Sequence, residues 1–446
     1  SGSRRMGTIK TILAISLLMS GPVLAQVPPP IGEEFQVNTY TTEDQQSPAV
    51  GMDSVGSFVV VWSSDGSYGT DTNRASVQGQ RFGASGTPVD GEFQVNTDTT
   101  YSQFNPDVAV GPDGDFVVVW DTFLNPEQEA IKAQLYNSDG SAEGGEFTVS
   151  SSWNYLDKPQ VGMDSGGNFV VAWAESYFVH TFSEFSIDAQ LFDASGAPGE
   201  FVVVSGGGGY YIEWSDPSLA VGSDGDFVVV WRYRDLIAAT DSVFARKFDA
   251  AGDPVTGEFQ VDTYATALGC CPAVALDSGQ GFLVVWSSEG SPGSDTDSTS
   301  IQGRLFAVDG VPMGPQFQVN AYTTGKQGGP TAAVTNEGNF VVTWGSSQSG
   351  GSDQDPFSVQ GQILDSTGAM LGSQNQINTY STLDQRFPKV AAADNGDFVV
   401  VWRSDGSSGT DSDGRSVQGQ RFAGPHWIFT DGFESGDTSG WSSATQ

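Results

Sequence analysis

The chain predicts an all-β fold: a seven-bladed β-propeller with four antiparallel strands per blade. Three observations carry that expectation. A Phe-Val-Val-Val-Trp segment or close variant recurs seven times, ending at Trp62, Trp120, Trp173, Trp231, Trp286, Trp344 and Trp402, at spacings of 58, 53, 58, 55, 58 and 58 residues. Self-similarity at such a period marks a repeat architecture, and each unit has room for four short strands and their turns. An outer-strand motif, Glu34-Phe35-Gln36-Val37-Asn38, stands before the first unit, whereas the last unit ends at Phe422 without one.

In the first unit, residues 48–52 read as a short strand and 53–57 as a tight turn. Residues 58–62 are a second strand, followed by a long polar loop. Residues 76–82 are a third, and 83–91 turn the chain into a fourth at 92–96. Glycine stands two residues before the phenylalanine in six units, as Gly56, Gly114, Gly167, Gly225, Gly338 and Gly396. A tight hairpin needs positive φ there, which glycine adopts at no steric cost. The fifth unit departs, with Gly279-Gln280-Gly281. The second strand is apolar on both faces, as a strand covered on both sides must be. A blade wedged between two others is so covered, and the seven tryptophans are therefore read as core. The phase of the repeat places the N-terminal segment beside Val417, as the outer strand of the last blade. Such a closure ties the ring and removes an open edge. A period of about 57 residues is short for tandem immunoglobulin-type sandwiches and long for a β-helix coil.

Residues 6–25 carry the regions of a secretory signal peptide: Lys10, then an apolar run at 12–19, then Val23-Leu24-Ala25 as a cleavage site. The apolar run is too short for a transmembrane span. Residues 1–5 read as non-native or upstream, 26–32 as a linker, 33–423 as the propeller, and 424–446 as a tail or the truncated start of another domain. The formal charge of −36 moves to about −39 without Arg4, Arg5 and Lys10. Such a field repels nucleic acid and anionic membrane and draws cations. With only six lysines, the composition equally suits life in salty surroundings.

The repeat, written here as residues 48–62, 80–82 and 92–97, resembles one found in uncharacterised exported bacterial β-propeller proteins, of the form PxVAxDxxGxFVVVW, QRF, EFQVNT. The segment Asp431-Gly432-Phe433-Glu434-Ser435-Gly436-Asp437-Thr438-Ser439-Gly440-Trp441 is similar to a tail on secreted Gram-negative proteins. The resemblance implies the propeller fold and export to the periplasm, cell surface or medium of a bacterium; it brings no catalytic residues. The protein is expected to be a monomer without a nucleic-acid partner.

In an up-and-down blade, the loop between strands two and three emerges on the same face as the connections between blades. Binding residues gather on such loops. Two sectors of that face differ. Units five, six, seven and one carry Asp/Ser/Gly loops with Asp295, Asp297, Asp353, Asp355, Asp405, Asp411, Asp413, Asp65 and Asp71. Crowded carboxylates suit Ca²⁺, although none of these loops matches an EF-hand, and a solvated acidic rim is the alternative. Units two to four carry aromatic and basic residues: Trp153, Tyr155, Tyr177, Phe178, His180, Tyr210, Tyr211, Trp214, Arg232, Tyr233 and Arg234. An exposed aromatic cluster suits stacking on a sugar ring or contact with a peptide; mutual packing under a loop is the alternative. Cys270 and Cys271, the only cysteines, read as a vicinal disulfide in the loop before Pro272.

Signals for an enzyme are weak. His180 and His426 are the only histidines, neither sits in a nucleophile motif, and no zinc pattern occurs. Most arginines fall on third strands or loops rather than at the axis. The expectation is a secreted, non-catalytic propeller binding a glycan, peptide or cell-surface partner. A Ca²⁺-organised adhesive protein and a hydrolase acting through axial carboxylates are the alternatives.

Overall fold

A computed structural model describes residues 29–424, apart from 67, 72–73, 180–181, 207–211, 264–268, 280, 290–292, 349–350, 352 and 354. The signal-peptide segment, His180, Tyr210, Tyr211, His426 and the tail lie outside the described residues. Those described form seven four-stranded antiparallel sheets and no helix, hence none long and apolar enough to cross a membrane.

β1 (Pro30–Gln36) pairs with the last strand, Arg415–Phe422, to complete blade seven. Blade one is β2 (Gln45–Met52), β3 (Phe58–Asp65), β4 (Ala75–Phe82) and β5 (Pro88–Gln94), paired in that order. The first strands touch the first strands of both neighbouring blades, so they line the axis. The six predicted hairpin glycines all have positive φ, between 75° and 95°. The fourth strand begins earlier than the motif suggested, at Pro88, with a register break between Gly79 and Arg81. In blades four and five it shrinks to Phe259–Gln260 and Phe317–Gln318. The ring also begins earlier than expected, because β1 recruits Pro30 and Ile31 from the segment read as linker.

Each of the seven hydrophobic clusters fills one seam between adjacent blades. All seven tryptophans are buried. Deleting one such side chain costs roughly 3–5 kcal/mol. Three of them, Trp62, Trp344 and Trp402, donate Nε1–H to Gln45, Gln327 and Gln385, each 17 residues upstream. At the closing seam, Val37 N–H donates to Val417 O (2.8 Å), and the Phe35 ring lies 5.5 Å from Phe82 of blade one. Gly419 makes room for that ring, since a Cβ there would stand 2.7 Å from Phe35 Cζ.

A second lock joins the blades along the rim. Glu92 of β5 accepts from Thr39 N, Thr39 Oγ1 and Tyr40 N in the connection leaving β1. Glu146, Gln316, Gln374 and Glu34 receive the connections from blades one, four, five and six in the same way. The repeated Glu-Phe-Gln-Val-Asn-Thr segment is thus explained by packing: the acid takes the previous blade's exit.

Candidate functional site

Every first strand is bulged at one place. The register with its partner breaks around Ser47, Asn105, Lys158, Asp216, Cys271, Gly329 and Phe387. All seven have positive φ, from 45° to 62°. All seven precede proline, a residue that pushes its predecessor toward extended conformations. Only Gly329 suits the left-handed region; each of the others carries strain of order 1–3 kcal/mol. Bulges of this kind re-aim side chains beside functional sites. Here they set a ring of seven residues around the axis, toward the face that carries the inter-blade connections. Sequence reasoning missed this ring. Its signal was the proline recurring as Pro48, Pro106, Pro159, Pro217, Pro272, Pro330 and Pro388.

The ring is polar in blade two, at Asn105, and charged in blades three and four, at Lys158 and Asp216. Asn105 Nδ2 donates to Asp157 Oδ1 (3.3 Å), and Lys158 Nζ forms an ion pair with Asp216 of the next blade. Behind Asn105 lies Asp121. Burial pushes its carboxyl up to about 7, the charges of Asp157 and Glu129 add to that, and a hydrogen bond from Asn105 opposes it. Burial also raises Asp157 and Glu129, and, within blade three, lifts Asp188 to about 6. Contrary to expectation, two arginines stand at the same level in blade seven. Arg386 pairs with Asp384, and Arg403 with Asp405 (3.3 Å).

The second and third strands of blades two to four extend into regular hairpins, Phe116–Asn125 with Gln128–Tyr136, Phe169–Val179 with Phe182–Phe192, and Phe227–Asp235 with Thr240–Phe248. Tyr177 and Phe178 therefore sit in a strand and not in a long loop. Trp153 is 69% exposed and Tyr155 58%. They flank the connection into blade three, which Glu175 pins: its Oε1 accepts from Ser152 Oγ (2.6 Å) and Asn154 Nδ2 (3.0 Å).

Trp214 departs from expectation, being buried in the seam between blades three and four. It stands 17 residues before Trp231, where other blades place the glutamine that holds the core tryptophan, and that spacing could have revealed it. Tyr233 packs on Phe244 at 5.1 Å. Arg232 makes a bidentate pair with Asp241 (2.9 and 3.0 Å), and Arg234 lies 3.8 Å from the same carboxylate. Leu236 and Ile237, also missed, stand exposed at the tip of the blade-four hairpin. Asp235 caps that tip by accepting from Ile237 N and Ala238 N.

The acidic loops of blades five, six, seven and one are clasped from within. Asp71, Asp295, Asp353 and Asp411 are buried. Each accepts a hydrogen bond from the asparagine that ends the outer-strand motif: Asn96 (2.8 Å), Asn320 (2.7 Å), Asn378 (2.8 Å) and Asn38 (2.7 Å). The same asparagines accept from Val77, Ile301, Val359 and Val417 N–H groups. Asp297, Asp355 and Asp413 tie their loops to the next blade through Gly325 N, Leu383 N and Glu43 N. Asp405 lies between Arg403 and Arg415, while burial, Asp44 and Glu43 push Asp65 up against the pull of Arg415. Among the described residues, no group of three or more His, Cys, Asp or Glu is arranged to hold a metal ion.

Cys270 and Cys271 open the strand Gly269–Leu276 rather than lying in a loop, and they are free thiols, not the expected vicinal disulfide. Cys270 borders a pocket of about 270 Å³ with Arg232, Asp241, Ser287, Glu289 and Lys326, at the seam of blades four and five.

No family model matches the chain, and no curated protein does. Solved structures do. A protein of unknown function from Dyadobacter fermentans aligns with TM-score 0.51 and 11% identity, over 88% of this chain and 98% of that one. An α-L-arabinofuranosidase from Fusarium graminearum aligns at 0.49 and 10%, over 88% and 98%. The β-propeller domain of a trilobed protease from Pyrococcus furiosus aligns at 0.48 and 10%, over 86% and 96%. At such identities the likeness concerns the fold alone.

Proposed function

We propose that the protein binds a glycan on its loop face across blades two to four, with Trp153 and Tyr155 as the stacking platform. One observation carries the reading: both rings are exposed on a connection that Glu175 holds fixed. An aromatic face already immobilised loses little entropy when a sugar ring settles on it. Asn105, Asp157, Lys158 and Asp216, on first strands of the same blades, supply donors and acceptors for hydroxyl groups. The test is a glycan microarray probed with wild type, Trp153→Ala and the double variant Trp153→Ala/Tyr155→Ala. Binding should fall about tenfold in the single variant, the equivalent of one lost stacking contact. A protein that binds no glycan, or binds equally well in the double variant, defeats the reading.

A second reading rests on Asp121. A carboxyl pushed up to about 7 with a second carboxyl, Asp157, near it is the arrangement of a general acid with its partner. It makes the same face a site of glycosidic hydrolysis with Asp121 as proton donor. Polysaccharides should then be cleaved by the wild type and not by Asp121→Asn, while binding persists. Absence of turnover across the panel removes this reading and leaves the first intact.

A further inference from the structure

We propose that Cys270 and Cys271 are a thiol–disulfide exchange site that takes small disulfides entering the pocket between blades four and five. Neighbouring residues of a regular strand point to opposite faces. The bulge breaks that rule here: with Cys271 at φ 57°, the two sulfurs come to 2.7 Å, Cys271 donating to Cys270. A strained backbone position thus makes two adjacent thiols meet. Their surroundings make them unequal. Cys270 borders the pocket with Arg232 and Lys326, whereas Cys271 does not line it and has Lys158 as its nearby cation; the charge of Asp216 acts on both. The Cys271 hydrogen bond lowers the Cys270 thiol to about 7 against burial, with help from Arg232 and Lys326. The bond that Cys271 gives away, and its burial, push Cys271 up. Cys270 is the attacking thiolate and Cys271 the resolving thiol.

The chemistry is closed. The Cys270 thiolate attacks one sulfur of a small disulfide RSSR, forming Cys270–S–S–R and releasing RS⁻. Cys271 gives its proton to that thiolate and attacks Cys270 Sγ. The Cys270–Cys271 bond forms and the second RS⁻ leaves, taking a proton from solvent. Two protein thiols are oxidised and one RSSR is reduced to two RSH; a dithiol reductant runs the reaction backwards. The exchange needs neither Trp153 nor Tyr155, the stacking platform assigned to glycan binding, so either activity can fail without the other.

The experiment treats reduced full-length protein with an aromatic disulfide, 5,5′-dithiobis(2-nitrobenzoate), and follows released thiolate and intact mass. Wild type should release two equivalents, keep no adduct and lose two hydrogens in mass. Cys271→Ser should release one equivalent and hold a stable mixed disulfide. Cys270→Ser should react about tenfold or more slowly, because the remaining thiol does not line the pocket that holds Arg232 and Lys326. The wild-type rate should rise to a half-maximum near pH 7, and Lys326→Ala, a surface change that leaves the fold intact, should move that midpoint upward. Equal reactivity of the two single-cysteine variants, a lasting adduct on wild type, or disulfide-linked dimers as the product would overturn the proposal.

Discussion

Asp121 shows how a single carboxyl couples the site to the stability of the chain. Its ordinary value is 3.8, and in the fold it titrates near 7. Between those values the folded protein keeps a proton that the unfolded chain has released. Stability from this group is therefore present at acidic pH and is lost as pH rises through 7. Thermal melts of wild type should show the midpoint climbing as pH is lowered from 8 to 5.5. In Asp121→Asn the part of that slope below about 7 should vanish. If the two proteins trace parallel curves, the carboxyl is ionised in the fold. Residues also show what was readable beforehand. The seven tryptophans announced the core because their spacing is regular and their strands are apolar throughout. Trp214 was taken for a surface ring because composition does not distinguish a buried aromatic from an exposed one. The strain at Phe387 or Asn105 was invisible because φ is not written in residue type; only Gly329 names its own conformation.

Among elements, the asparagine clasp explains why four blades share one loop chemistry. Asn378→Ala removes the acceptor of the buried Val359 N–H and one of the donors to the buried Asp353 carboxylate, which keeps Asp355 N. Losing both bonds costs about 2–4 kcal/mol, measurable by urea unfolding; a loss under about 0.5 kcal/mol would mean the loop finds other partners. Because these carboxylates already accept hydrogen bonds, adding Ca²⁺ or a chelator should leave the melting temperature of wild type unmoved. The sequence offered Asp, Ser and Gly in these loops, which a cation site and a hydrogen-bonded turn use equally. The clasping asparagine lies 25 residues from its aspartate in three of these loops and 373 residues away in that of blade seven, beyond the reach of a local pattern. Blades two to four lack the clasp. They support the same face with paired strands instead, which is where the exposed Trp153, Tyr155, Leu236 and Ile237 stand.

For the whole molecule, the closure by β1 is the feature on which cooperativity depends. Deleting residues through Asn38 removes the Val417 partner, the Phe35 ring packed on Phe82, and the Gln36 and Asn38 bonds that order the loop ending at Asp413. It also bares the edge of Arg415–Phe422, an invitation to self-association. The truncated protein should aggregate or melt in separate steps, and a synthetic peptide covering residues 29–40 should restore a single transition. A truncated protein that stays monodisperse and melts like wild type would show that the latch is dispensable. The phase of the motif made this closure legible, since an unpaired Glu-Phe-Gln-Val-Asn at one end answers a missing one at the other.

That pairing joins positions about 380 residues apart along the chain, Val37 and Val417. During synthesis, β1 has no mate until the twenty-eighth strand emerges. Completion of the barrel-like assembly is thereby postponed to the final moments of production. A chain cut short before Phe422 cannot make this pairing, and quality control inherits a simple criterion: only a chain that carries both strands can close the ring.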